Sequence, residues 1–133
     1  MLKKDYLLEM IGTISRAISQ ILFQKSQKEY VTCHRIAEDA YQELMGMPLS
    51  MILSLPESTI FDFLSTFGEL DPEKVFLLAD LLKTDAEVFS AEEDGAMAQA
   101  VFDKCGALLE ALEDDALTPE QSEALASRKA ALA

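Results

Sequence analysis

The side chains best suited to chemistry in this sequence are few. A single histidine, His34, follows Cys33 directly and stands four residues before Glu38. On a helix, residues four apart share a face, so His34 and Glu38 have the spacing that begins a metal site. Zinc wants four ligands, usually with more than one His or Cys nearby. The residue three before His34 is Val31, so neither H-E-x-x-H nor E-x-x-H occurs. Cys33 and His34 do not make a nucleophile and base either, because helix neighbours point about 100° apart. Cys33 falls on an apolar seam and His34 turns away from it, which reads as a buried thiol beside a surface histidine. Cys105, the other cysteine, lies far along the chain. Both are expected to be free and to behave as small hydrophobes.

Two acidic clusters, Glu92-Glu93-Asp94 and Glu113-Asp114-Asp115, would attract cations. Neither has the spaced oxygen ligands and sixth-position glycine of an EF-hand loop, so they read as solvated, mutually repelling faces. Met45, Met47 and Met51 gather around Gly46 and Pro48. Methionines there fill irregular gaps where helices change direction, although such clusters also line adaptable binding surfaces. No residue is assigned a catalytic, cofactor-binding or metal-binding role, and the chain is expected not to be an enzyme.

The charge balance narrows the partners. The 133 residues carry 24 acids and 11 lysines and arginines, for a net charge of −13. Nucleic acid and anionic membrane surfaces both require positive charge on the protein and are excluded as main partners. No run of about 18 apolar residues suggests a membrane span. The opening Met1-Leu2-Lys3-Lys4 imitates a signal peptide, but Asp5, Glu9 and Arg16 interrupt its apolar core, so a cytoplasmic amphipathic helix is expected. The charge is also uneven. Residues 1–47 carry six acids and six bases, whereas residues 85–123 carry twelve acids against Lys104 alone. One part of the folded molecule is therefore expected to be neutral and another strongly negative.

Apolar spacing dictates the elements that must hold these residues. Leu7, Ile11, Ile14, Ile18 and Ile21 recur at intervals of 4, 3, 4 and 3, one face of a first helix over 4–25. Leu8, Met10, Leu22 and Phe23 widen that stripe, so more than one neighbour is expected to cover it. Tyr30, Cys33, Ala37, Ala40 and Leu44 mark a second helix over 29–45, small at its centre and suited to close antiparallel packing on the first. Gly46 ends it as a C′ glycine and Pro48 forbids continuation. Short helices are expected over 49–67: an apolar turn from Leu49 to Leu55, then a capping box from Ser54 to Glu57, then a helix that stops at Gly68. Its Phe61, Phe63 and Phe67 are expected to plug the core.

Asp71-Pro72 starts a further helix carrying Val75, Leu78, Leu82, Ala86 and Phe89. Asp94 caps the next, which carries Ala98, Val101, Cys105, Leu108 and Leu112. Gly106 in its middle costs about 1 kcal/mol against alanine, and close approach of another helix would explain it. Fraying, or a nearby cation, is expected where acids 113–115 oppose the helix dipole. Thr118-Pro119-Glu120-Gln121 is a capping box opening a last, alanine-rich helix over 119–132, docked weakly through Leu125 and Leu132. Alternating strand patterns and hairpin-type turn dipeptides are absent. The expected fold is a single all-α domain over 1–133 with six to seven helices, built on antiparallel hairpins at 4–45 and 72–113.

Those hairpins carry a resemblance. Lys28-Glu29-Tyr30-Val31-Thr32-Cys33, followed by Ala37 and Ala40, is similar to the turn and second helix of a tetratricopeptide repeat. Leu78-Ala79-Asp80-Leu81-Leu82 resembles the first-helix signature, with Ala98, Phe102 and Cys105 in second-helix places. The family's turn glycine is Lys28 here, its tryptophan is missing, and the hairpins lie about 68 residues apart, not one 34-residue period. As a whole the chain resembles a family of small, functionally uncharacterised bacterial proteins with tetratricopeptide-like helix pairs. The resemblance implies a fold and no activity; such folds commonly bind partners. The first functional expectation is thus a scaffold for another protein or peptide, preferably basic, with a second copy of the chain as a further candidate through the N-terminal helix. The alternative is a carrier of a small apolar ligand in a cavity between the hairpins.

Overall fold

A computed structural model describes residues 2–132. Among these residues the fold is all-α, with seven α-helices and almost no strand. Helix α1 (Leu2–Ser26) and helix α2 (Tyr30–Met45) form the first long pair. Two short helices, α3 (Leu49–Ser54) and α4 (Glu57–Phe63), lead to a small hairpin of strands β1 (Ser65–Thr66) and β2 (Glu69–Leu70). Helix α5 (Pro72–Ala91) and helix α6 (Gly95–Ala111) form the second long pair. A single 3-10 turn (Asp114–Ala116) and helix α7 (Pro119–Leu132) follow.

The predicted stripes are the packed faces. Ile14 and Ile21 on α1 meet Cys33, Ala37, Ala40, Tyr41 and Leu44 on α2, all buried. α1 touches both α2 and α5, as its wide stripe requires. Cys33 donates its thiol to the Ile21 carbonyl at 3.4 Å, which pins the start of α2 to the end of α1. Ala98, Val101, Cys105, Leu108 and Leu112 bury the predicted face of α6. Gly46, with φ +70, closes α2 in the left-handed conformation expected of a C′ residue. Met45 and Met47 fill the gap beside it, while Met51 is 48% exposed.

α5 is the centre of the core. Twelve of its residues, from Lys74 to Val88, are buried, and it touches α1, α2, α6 and α7. The phenylalanine-rich segment does not take that place. α4 ends at Phe63, short of the expected Gly68, and the chain turns back through the 65–70 hairpin. Phe63 is 54% and Phe67 89% exposed, so neither plugs anything. Phe67 and Gly68 have φ of +54 and +79, both positive as a two-residue primed turn demands. The sequence hid this turn because phenylalanine is an unusual residue in a left-handed position.

Local signals divide in the same way. Thr118 and Gln121 make both bonds of the predicted capping box, and Asp94 accepts from the Met97 amide at 3.2 Å. The expected box at Ser54–Glu57 does not form: Ser54 bonds the Met51 carbonyl, and Glu57 pairs with Lys104 at 2.8 Å. Asp71 holds the N-cap position of α5 without a side-chain cap bond. α7, expected to dock weakly, is well seated. Leu125 is buried, Arg128 grips Asp80 with two bonds of 2.9 and 2.8 Å, and its guanidinium lies 4.7 Å from the Phe76 ring centre. α6 ends at Ala111, and the 3-10 turn carries the acids that follow it.

Phe67 buries little and occupies a conformation costing an ordinary residue about 1 kcal/mol. Phe67→Asn, which gives the preferred residue pair for this turn, should raise the thermal midpoint by about 2–4 °C. Calorimetry showing a lower midpoint would mean that the phenylalanine makes a stabilising contact.

Candidate functional site

Two features stand out from the packed helices: a polar cluster between α2 and α5, and an open cleft beside α6.

The cluster is built on His34. α2 directs this side chain against α5, with the side chain 24% exposed, instead of leaving it on the surface as expected. Nδ1 meets Asp85 Oδ1 at 2.9 Å, and Nε2 meets Glu92 Oε1. Tyr41 donates its hydroxyl to the other Asp85 oxygen at 2.7 Å. The Phe89 ring stacks on the imidazole with centroids 4.1 Å apart. Asp85 is 2% exposed, so its charge survives only because two donors satisfy it.

The protonation states follow from this geometry. Each imidazole nitrogen faces a carboxylate oxygen, and a neutral ring has only one N–H to give. Desolvation pulls the His34 pKa down, but hydrogen bonding and charge from Glu92 and Asp85 outweigh it and hold it above its ordinary value. Burial raises Asp85 in spite of its bonds to Tyr41 and His34. Burial, then the Asp85 charge, lifts Tyr41 well above the usual tyrosine range. The same two causes raise Cys33. Burial pushes Cys105 to about 11. Both cysteines are free and buried, and a raised thiol is a poor nucleophile.

Of the flagged residues, the fold therefore joins His34 to Glu92, from separate parts of the sequence, and does not join His34 to Glu38. Glu38 instead accepts from the Leu49 amide at 3.1 Å, capping the start of α3. Among the described residues no group of three or more His, Cys, Asp or Glu side chains could hold a metal ion. Asp85 and Tyr41 were missed. A signal for Asp85 does exist: it lies seven residues after Leu78 and three after Leu82, a polar residue on a core face.

The second feature is a cleft of about 640 Å³ between α5, α6 and α7. Phe102, Gly106, Ala107 and Leu132 supply its apolar surface, and Glu87, Asp103 and Glu110 its acids. Lys83 and Lys129 also line it, but each faces a carboxylate, Lys83 that of Glu87 at 3.6 Å and Lys129 that of Glu110 at 3.7 Å. The neighbour at Gly106 is α7, at ordinary side-chain distance and not the close approach its mid-helix position suggested. A Cβ placed there would meet only Leu132 Cδ1, at 3.9 Å. The glycine leaves empty space, and that space belongs to the cleft.

Comparison with protein-family models, curated proteins and solved structures finds no match to this chain. Among the described residues no helix is long and apolar enough to cross a membrane.

Because the position is helical and open, Gly106→Ala should stabilise the protein by about 0.5–1 kcal/mol. Urea unfolding should show this as a higher midpoint with an unchanged slope. A loss of stability would indicate a backbone constraint at Gly106.

Proposed function

We propose that this protein is a non-enzymatic interaction module, acting in the cytoplasm, whose cleft along α6 receives a basic helical segment of another protein. The observation that carries the reading is Gly106. A mid-helix glycine is unfavourable by about 1 kcal/mol, and no internal contact requires it here. It keeps the floor of the cleft low beside Ala107 and Leu132. An apolar floor whose rim carries three acids against two lysines suits an amphipathic helix that presents small apolar residues downward and lysines or arginines outward.

Charge supports the same partner. Lys104, Arg128 and Lys129 are each paired with an acid, Glu57, Asp80 and Glu110 respectively. The many remaining carboxylates of the second half present a negative field to a cationic segment. The helix pairs α1–α2 and α5–α6 fit the tetratricopeptide-like resemblance, which belongs to this proposal as a fold analogy. The rival proposal, an apolar-ligand carrier, draws less support from the seam between the pairs, which Ile14, Ile21, Ala37, Tyr41, Leu78 and Leu82 fill. Nucleic acid and membranes are not proposed partners. A second copy of the chain is proposed to associate through the outer flank of α1, where Leu8, Leu22 and Phe23 are 56%, 46% and 61% exposed.

The test is a titration with a lysine-rich amphipathic helical peptide, followed by fluorescence anisotropy. Affinity should fall about tenfold between about 0.05 M and about 0.3 M salt. Gly106→Leu, which places a branched side chain on the cleft floor beside Leu132, should weaken binding by a further factor of about ten, or about 1.4 kcal/mol. Binding that ignores both salt and Gly106→Leu would discard the cleft as the docking site.

A further inference from the structure

The cluster around His34 also links two elements that a proton can uncouple. Glu92 is the residue after α5, and Glu93 follows it in the left-handed region at φ +66. Asp94 then caps α6. The bond from His34 Nε2 to Glu92 therefore ties the α5–α6 turn to α2.

We propose that His34 is a pH-operated latch on this turn, closed when the imidazole carries two protons and open when it carries one. The geometry decides which bond breaks. The His34 side chain stands between a buried carboxylate, Asp85 at 2% exposed, and a partly solvated one, Glu92 at 27%. Leaving the buried oxygen without its donor is the costlier choice. The remaining proton therefore stays on Nδ1, facing Asp85. Nε2 then turns a lone pair toward the Glu92 carboxylate, the two repel, and Glu92 moves out to water. The Asp85–Tyr41 bond persists throughout, since the tyrosine does not ionise in this range.

The carboxylates around the ring favour closure at low pH. From α5 the ring faces Asp85 and Glu92, with Phe89 covering one side. On its own helix, Tyr41 and Glu38 act on Asp85, and Cys33 stays a neutral thiol. α1 sends Lys25 toward Cys33, where its charge favours the thiolate. The sign of the stability change follows. A histidine raised above its unfolded value of 6.5 contributes fully below about pH 6.5 and loses its contribution as pH rises through the folded value. Asp85, raised by burial, changes stability in the same direction as it ionises, so the titration of the imidazole itself assigns the His34 share.

Because the chain has one histidine, nitrogen-15 NMR of the intact protein reads the latch without ambiguity. At pH 6 both ring nitrogens should be protonated, and the titration should lie above 6.5. In Glu92→Gln the midpoint should fall by about one unit, with Nδ1 remaining the protonated nitrogen at high pH. Amides 92–97 should lose protection as pH crosses the midpoint, beyond the intrinsic base dependence of exchange. In His34→Gln that extra loss should vanish. A His34 midpoint at or below 6.5, a midpoint unmoved by Glu92→Gln, or protection at 92–97 that ignores the titration would each overturn the proposal.

Discussion

α5 is buried on all but one narrow edge, that of Asp80, Lys83 and Glu87, and this one constraint organises the molecule. A helix in contact with α1, α2, α6 and α7 must bury nearly everything its sequence puts on its other sides. Its apolar residues, Val75, Phe76, Leu77, Leu78, Leu81, Leu82 and Val88, meet the condition by packing. Its polar residues meet it only by finding partners, because an unpaired buried group costs more than a bond gains. Those partners tie α5 to the β1–β2 hairpin, α1, α7 and α2. Lys74 bonds Thr66 in the β1–β2 hairpin at 2.9 Å and lies over the Tyr6 ring of α1. Asp80 holds Arg128 of α7, and Glu73 accepts from Gln121 at its start. Asp85 holds Tyr41 and His34 of α2.

This pattern gives the polar side chains a role that their energies alone do not suggest. The Arg128–Asp80 pair has side chains about a third exposed, and such a pair contributes about 1 kcal/mol or less. Burial of apolar surface supplies most of the stability. Apolar contact is not directional, however, and a helix that is apolar nearly all round could turn about its axis with modest loss. Asp80 and Asp85, five residues apart, point to α7 and α2 respectively and allow one rotation. Seating of α7 follows from the same logic: an alanine-rich helix with Leu125 as its one buried side chain gains its place from two bonds and a stacked guanidinium.

The sequence shows faces more clearly than ends or partners. The 3-4-3-4 rhythms of α1, α2 and α6 were legible because each helix has a dry side and a wet side, and the period of the helix writes that contrast into the chain. α5 was less legible for the opposite reason: with nearly all sides dry, its stripe understated its burial. The Phe61–Phe67 segment misled because aromatic content signals a core only when the backbone stays regular, and Phe67 sits in a turn whose geometry its side chain disfavours. The His34 cluster was half legible. His34 and Glu92 were noticed as ionisable residues, but 58 residues separate them, and pairing across that distance depends on how α2 lies on α5. Gly106 was noticed as anomalous, and its neighbour is the Leu132 side chain of α7 at an ordinary distance, not a closely approaching backbone.

The distribution of charge has the same origin. A chain with 24 acids and 11 lysines and arginines has few cations to spare, and the fold places several where they hold elements together. Lys104, 10% exposed, bonds both Glu57 and the Leu55 carbonyl and so fixes the α3–α4 junction against α6. Arg128 fixes α7. His34, when doubly protonated, answers two carboxylates at once. Cations spent on internal joints cannot screen the surface, so the acids of α6 and the turns around it keep their field. The negative surface is thus partly a consequence of how the core is tied together. A cationic partner in the α6 cleft would supply from outside the charge that the second half of the chain uses up within.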